Sequence, residues 1–525
     1  MSTPIKVDKL QAYLHGYPFR TRQYLIDGFR FGFSIDYVGP RINFSSKNLV
    51  SAIANPSAVD EKLANEIKLG RIVGPFERQP FPVFHISPLG LIPKKVPGEF
   101  RLIHHLSFPE GRSINSHIPK IASSVHYANI DDAIRLVRRT GRGCALAKTD
   151  IKNAFRLIPV SPSDYNLLGI CWRDKFYVDR NLAMGLSSSC KIFEFFSSAL
   201  EWIACNKLQI PGILHLLDDF LIVSNSISSC DNELKAFLRT CDELGVPMAP
   251  EKTVGPSCVL SFAGIELDTT LMEARLPSDK LTKCRTLIQD FITRKKVTLK
   301  ELQSLIGLLN FTCSVIVPGR TFLRRLINLT VGIKRPRYFI RLNRETISDL
   351  QLWLTFLEAY NGRSFFLDYV WLSSTKLHLY TDAAGSLGYG AVFGSHWFHG
   401  KWPDRWIGTN IIILEMFPIV VSISIWASKL ENKCILFHTD NQGLVEVINK
   451  KTTKDKKLLA LLRALVLQCL KHNILFRAIH VPGVLNVKAD ALSRLQVTKF
   501  KSLGQGMDRE PTLVPVPLLP ESWPL

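Results

Sequence analysis

Hydrophobic and polar positions along this chain change rhythm repeatedly, and each change marks a predicted element. From Ala58 to Gly70, AVDEKLANEIKLG places apolar residues at helical spacing ahead of a glycine stop, which predicts a helix. FHISPLGLIPKKVPGEFRLIHHLS reads as two strands around Pro97-Gly98, a pair suited to a type II turn. CALAKTDIKNAF predicts a strand that ends at Asp150 and turns into a helix, broken by Pro159 and Pro162. The small-residue loop from Gly185 to Cys190 opens the apolar helix KIFEFFSSALEWIA. An apolar run from Ile213 to Val223 is interrupted only by His215 and by Asp218-Asp219, so two short strands are expected with the aspartates at the tip of their turn. A helix around Asn232 to Leu244, the loop GVPMAPEKT and a strand pair around SFAGIEL follow, and residues 279 to 330 are helical and basic.

After a polar stretch, regular patterning resumes near Lys376. The strand KLHLYTD, a turn with Gly385, Gly388 and Gly390, a second strand and an apolar helix holding Glu415 come first. The strand CILFHTD ends at Asp440, and a helix, the strand ILFRAIHV and a short helix containing Asp490 complete the module. Residues 1 to 55 mix aromatics with basic residues and predict a packed extension whose role is not legible. The tail after Leu495 is rich in proline and is expected to be extended.

Composition narrows the partners. A chain of 525 residues with 46% hydrophobic content holds several cores, and a net charge of +21 points to a polyanion such as nucleic acid. Eleven cysteines without a CxxC pair fit reduced thiols in an intracellular protein, cytoplasmic or nuclear, better than a disulfide framework. No signal-peptide core opens the sequence. The stretch Asn410 to Ala427 is apolar enough for a membrane, but it carries Glu415 and Pro418 and barely reaches spanning length. A buried helix with one functional acid explains it better, so no membrane partner is expected.

The acids carry the chemistry. An isolated Asp-Asp is most often an ordinary turn, but two carboxylates inside β-prone apolar sequence need a cation if they are buried. Asp150 closes its strand 68 residues before Asp218 and could join the pair in one sheet. Three carboxylates can hold two Mg²⁺ ions, which lower the pKa of an attacking hydroxyl and stabilise the leaving oxygen in phosphoryl transfer. In the second module Asp382, Glu415, Asp440 and Asp490 follow at intervals of 33, 25 and 50 residues. Glu415 is the most telling, because an acid within IIILEMFPIVVSISIW is costly to bury unless it faces a metal or a partner.

TDIKNAF, GLSSS, LLDDFL, the lysine of PEKT and the FAGIEL strand stand in the order and spacing of the palm motifs of reverse transcriptases, and the chain resembles that family. The resemblance implies a right-hand polymerase of fingers, palm and thumb, α+β and α/β in class, followed by a ribonuclease H-like α/β domain. Asp150, Asp218 and Asp219 match the metal-binding triad, and Phe155 falls on the aromatic gate that excludes a ribose 2′-hydroxyl. Lys95 (or Lys94) and Arg101 fall where the family grips the triphosphate of a dNTP, Lys252 near the leaving pyrophosphate, Gly185 in the template-contacting loop and Gly264 in the primer grip. His105 and Met184 depart from the usual residues at their positions. Asp382, Glu415, Asp440 and Asp490, the last within HVPGVLNVKADALSR, resemble the ribonuclease H quartet; His480 is not a clear match to that family's mobile histidine, and Lys450 to Lys457 are equally read as a phosphate-binding run or a solvated face.

The resemblance implies Mg²⁺ as cofactor, two ions per site with Mn²⁺ as substitute, and an RNA template, DNA primer and RNA:DNA hybrid as partners. SPLGLIPKKVPGEFRLIHHLS, LQSLIGLLNFTCSVIVPGRTFLRRL and ADALSR look most like DIRS-like retrotransposons, the class paired with a tyrosine recombinase, with gypsy-like elements next. No recombinase is expected to fit after Leu495, so integration would fall to a separate recombinase or integrase. The expected divisions are an extension (1–55), fingers and palm (56–275), thumb (276–335), tether (336–375), ribonuclease H-like domain (376–495) and tail (496–525). The alternative is a catalytically inactive, co-opted nucleic-acid-binding protein, against which the seven intact acids argue. Intron-type and telomerase-type enzymes are disfavoured because they are not expected to carry a C-terminal ribonuclease H.

Overall fold

The structure, a computed structural model, describes residues 2–94, 98–359, 363–365, 370–481, 486–503 and 506–523. The chain forms two compact units, Met1–Met272 and Glu273–Leu525.

The first unit is built on a four-stranded antiparallel sheet in the order Val254–Ser257, Ala145–Asp150, Asp219–Ser224, Ile213–Leu216. The Asp-Asp hairpin forms as its pattern predicts, with Leu217 and Asp218 between the strands and Leu217 at φ 55°. Gly212 enters that hairpin so close to its neighbour that a Cβ there would collide with the carbonyl oxygen of Val223. Helices Ser189–Asn206 and Ile227–Leu244 back the sheet, and the second stops at Gly245 in the left-handed conformation. The segment after Asp150 forms a single 3-10 turn, Ala154–Leu157, in place of the expected helix. Asn153, at φ 56° just before it, redirects the chain, and Pro159 and Pro162 leave no length for an α-helix.

A five-stranded sheet and the hairpin Leu89–Pro93 with Phe100–His104 form a second layer, flanked by the helix Pro56–Lys68. Lys95 and Pro97 of the expected turn lie outside the described residues. The N-terminal segment is an integral part of this unit. Leu10, Leu14, Leu25, Ile26, Phe29 and Phe33 join one apolar cluster together with Phe193, Phe196, Phe220 and Leu244.

In the second unit, helices Ser278–Thr293, Leu299–Thr312 and Arg344–Ala359 pack together. The last of these, with the strand Phe339–Arg341, occupies the stretch expected to be a tether. Asp349 on it is fully buried and accepts hydrogen bonds from Arg325 and from Arg463 of the helix Lys456–Lys471. Two three-stranded sheets follow. One is parallel, Trp371–Ser373, Cys434–Thr439, Leu475–His480; the other is antiparallel, Leu379–Ala383, Gly388–Phe393, His396–Lys401. The expected strand KLHLYTD starts only at Leu379, because Ser374–Leu377 forms a helical turn and His378 stands at φ 53°. Ser373 and Thr375 hydroxyls bond one another there, the local competition that draws such residues out of strands.

The apolar helix Ile411–Trp426 runs on through the 3-10 turn Ala427–Leu430, and this 20-residue stretch is the one long and apolar enough to cross a membrane among the described residues, with 67% of its apolar window buried. It packs on the helix Lys456–Lys471 and on the antiparallel sheet. The tail is docked: Trp397 Nε1 donates to Asp508 O at 2.9 Å, and Arg405 Nη2 and Trp406 Nε1 donate to Pro520 O at 2.9 and 3.1 Å. Indole N–H groups seeking partners give a proline-rich segment its anchor points.

Candidate active sites

Asp219 stands directly opposite Asp150 in the central ladder, so both side chains leave the same face of the sheet. Asp150 is buried, and Asp218 and Asp219 are half-buried. The Asp150 main chain is fixed as well, because Ala249 N donates to its carbonyl at 2.8 Å and Ile151 N donates to Asp218 O at 3.0 Å. Lys252, from the one-turn helix Pro250–Lys252, places its ammonium 2.7 Å from both carboxylate oxygens of Asp150.

Charge at this edge is crowded. Burial, then the charges of Asp150 and Asp218 and a hydrogen bond with Asp150, push the Asp219 carboxyl up to about 6. Asp218 is raised by burial and by Asp150, against the pull of Lys252 and Arg101. The Lys252 ammonium is disfavoured by burial but held above its ordinary value by Asp150, Asp218 and Asp219. Among the described residues no group of three His, Cys, Asp or Glu side chains already stands at metal-holding distance. The donor set nevertheless fits a hard dication: three carboxylates on one sheet edge repel one another, and an oxygen-seeking ion relieves that repulsion.

Arg101, exposed on its hairpin, shares a cavity of about 310 Å³ with Lys94, Asn153, Arg156 and Met184. Lys94 bonds Glu99 across the hairpin at 3.0 Å, and Lys95 is outside the described residues. Phe155 packs its ring edge-on against Phe193, 5.4 Å between centroids, and is not among the residues lining that cavity. Gly185, at φ 108°, is held by Asn115, which donates to its carbonyl at 2.7 Å and accepts from Ser187 N at 2.9 Å. Gly264 turns the hairpin between Val259–Phe262 and Ile265–Asp268.

Two supporting groups were not visible in the sequence. Arg156 lines the cavity, bonded to Glu66 at 2.7 Å and Asp179 at 2.9 Å. Burial opposes charge on Asp179, but Arg156 and His104 outweigh it and hold the carboxyl below its usual range. His215, three residues before Asp218, lies between Glu194 and Glu201 of the helix behind it. Burial opposes its charge, yet those two acids push it up to about 9. An i, i+7 pair of acids on an apolar helix was the signal for this partner.

In the second unit Asp382, Glu415, Asp440 and Asp490 all line one cavity of about 600 Å³. Asp382 lies on the strand Leu379–Ala383, Glu415 on the helix Ile411–Trp426, Asp440 just past Cys434–Thr439 and Asp490 on Val487–Ser493. Thr439 Oγ1 donates to Glu415 at 2.9 Å, and Arg494 Nε to Asp490 at 2.7 Å. The Ser493 hydroxyl donates to Asp382 Oδ2, and Asn486 Nδ2 reaches Thr381 O at 2.8 Å and Asp382 Oδ1 at 3.4 Å. Burial raises both Asp382 and Glu415, with neighbouring acids adding to it, so the quartet also suits a dication. His480 is exposed and its Nε2 lies 3.1 Å from the Asp440 carbonyl oxygen. Of the lysine run, Lys450 pairs with Glu446, while Lys451 sits over the Phe476 ring and is pushed down to about 8 by burial and by Arg477.

Residues 92–267 match the family model for reverse transcriptase (RNA-dependent DNA polymerase). The first unit carries a reverse transcriptase domain. The chain is 24% identical over 163 residues to Protein P of duck hepatitis B virus (strain China), covering 31% of this chain and 20% of that protein. The Pro-Pol polyprotein of simian foamy virus type 1 is 26% identical over 226 residues, 43% of this chain and 17% of the polyprotein. The chain thus spans about a fifth of the length of these curated relatives or less. Among solved structures, the foamy viral protease-reverse transcriptase in complex with double-stranded DNA matches with TM-score 0.51 at 16% identity, over 91% of this chain and 83% of that one. The same protein with an RNA/DNA hybrid matches with TM-score 0.50 at 15% identity, over 97% and 66%. The shared fold is a mixed α/β multidomain one.

Proposed function

We propose that this protein is an RNA- and DNA-directed DNA polymerase of a retroelement, with an attached ribonuclease H that degrades RNA in RNA:DNA hybrids. The observation that carries the polymerase reading is the rung on which Asp150 faces Asp219, with Asp218 at the adjoining turn and Lys252 on Asp150. Asp150, Asp218 and Asp219 would hold two Mg²⁺ ions, or Mn²⁺ in their place. Bound there, the ions lower the pKa of a primer 3′-hydroxyl and neutralise charge at the leaving oxygen. Arg101 and Lys94 or Lys95 bind the triphosphate of the incoming dNTP, Phe155 screens its sugar, and Lys252 protonates the leaving pyrophosphate.

The convergence of Asp382, Glu415, Asp440 and Asp490 on one cavity supports the nuclease reading. Foamy viral proteins of this fold bind double-stranded DNA and RNA/DNA hybrid, which supports duplex partners here. The motifs quoted above favour a DIRS-like element.

Primer extension on poly(rA)/oligo(dT) with Mg²⁺ tests the first activity: Asp218→Asn/Asp219→Asn should abolish it, and extension at the wild-type rate overturns the assignment. Glu415→Gln should abolish cleavage of an RNA:DNA hybrid while extension continues; unchanged cleavage removes the nuclease from the proposal.

A further inference from the structure

Between the two long helices of the second unit, Lys296–Thr298 pairs antiparallel with Phe339–Arg341. The inner face of this ribbon is apolar, Val297 opposite Ile340, both buried. On the outer face Lys296 stands directly opposite Arg341. Like charges across a rung repel, and here they are retained on an exposed surface. The segment leading into the ribbon, KRPRYFIRLNR from Lys334 to Arg344, holds five cations and no acid.

The segment is fixed in place. Leu299 N donates to Tyr338 O at 2.9 Å and Lys300 N to Pro336 O at 3.0 Å, tying it to the first turn of the helix Leu299–Thr312. That turn is locked by a reciprocal cap between Thr298 and Glu301. The nearby acids are already engaged: Asp290 and Glu301 pair with Arg294, and Glu345 pairs with Arg325. Lys295, Lys296, Lys300, Lys334, Arg335, Arg337, Arg341 and Arg344 are all exposed, and none has an ion-pair partner among the described residues. Two large aromatic rings lie open among these charges, Tyr338 at 59% and Phe339 at 55% exposure, with Lys296 Nζ 5.0 Å from the centre of the Phe339 ring.

We propose that the ribbon and the segment Lys334–Arg344 form a binding site for single-stranded nucleic acid. The cations take the phosphates, and Tyr338 and Phe339 offer rings on which unpaired bases stack. A duplex could use the charges but not the rings, since its bases are already stacked on one another. Open rings on a surface that needs anions therefore favour a single strand. This site is independent of the carboxylate clefts, and its existence does not depend on the activities proposed for them.

The test uses the full chain with its clefts filled by unlabelled primer–template duplex, and measures binding of a labelled oligo(rU) or oligo(dT) of about 12 nucleotides. Tyr338→Ala/Phe339→Ala should weaken binding about tenfold or more. Arg335→Ala/Arg337→Ala/Arg341→Ala should weaken it too and flatten the slope of log K against log salt by about 2, at about 0.7 per lost phosphate contact. These side chains are exposed, and unchanged thermal unfolding checks that the variants fold. The site is refuted if duplex displaces the oligonucleotide completely from the wild type, if neither variant changes affinity, or if both variants lose affinity equally for a blunt duplex. A difference between the oligo(rU) and oligo(dT) arms assigns the strand as RNA or DNA.

Discussion

Lys252 donates to both carboxylate oxygens of Asp150, each at 2.7 Å. The lysine must release Asp150 before that carboxylate can serve as a metal ligand, and the freed ammonium is then available to the leaving pyrophosphate. Lys252→Met should therefore tighten the response of extension to Mg²⁺ concentration and yet slow nucleotide incorporation about a hundredfold, the scale of a lost general acid. Single-turnover incorporation across a Mg²⁺ titration reads both effects, and a variant slowed only through weaker Mg²⁺ dependence would contradict this role.

His215 gives the first unit a pH-dependent brace. Its charged form is held by Glu194 and Glu201, which raise it from 6.5 to about 9, a shift worth at most about 3 kcal/mol. A group raised on folding stabilises fully below its unfolded value and loses that contribution as pH climbs through the folded one. The urea midpoint of the first unit's transition should thus fall between about pH 6.5 and pH 9 by more in the wild type than in His215→Gln. An equal fall in both proteins would show that the imidazolium contributes nothing.

Phe29 is 1% exposed and meets Phe33 and Phe196 edge-on at 5.3 and 5.0 Å. Phe29→Ala should destabilise the first unit by about 3–5 kcal/mol, the range for emptying a buried aromatic site. Denaturant unfolding followed by intrinsic fluorescence would measure it. A protein with residues 2–35 removed should fail to fold that unit for the same reason.

Ser493 holds Asp382 from the side of the short helix that carries Asp490. Ser493→Ala removes a donor from a half-buried carboxylate and should weaken Mn²⁺ binding at this cavity about 10–100-fold, the usual effect of losing a partner that orients a ligand. Titration calorimetry with Asp218→Asn/Asp219→Asn in the background isolates this site. Unaltered Mn²⁺ affinity would reduce Ser493 to a helix-terminal residue.

Much of this arrangement was legible because period and punctuation agreed. The Asp218-Asp219 hairpin, the strand ending at Asp150 and the helix around Glu415 each follow from apolar runs that carry carboxylates costly to bury. Long-range partners were not legible. The aromatics of residues 1 to 55 predict packing but not its partner, since the apolar surface that Leu10 and Phe29 meet includes residues 193 to 244. The helix Arg344–Ala359 was hidden by a basic approach that reads as polar linker, although Asp349 on it anchors two arginines. The strand KLHLYTD was overcalled because hydroxyl bonding at Ser373 and Thr375 favoured a turn over the ladder. The proline-rich tail, expected to be extended, is pinned by two tryptophan side chains and one arginine from distant parts of the chain.

The rung that sets Asp150 against Asp219 also constrains how this gene can change. Side chains alternate faces along a strand, so one codon gained or lost within Ala145–Asp150 or Asp219–Ser224 would turn one acid toward the helices and leave the other alone. Length variation among descendants should therefore gather in the connections on either side, while these two six-residue strands keep their length even where their apolar residues drift.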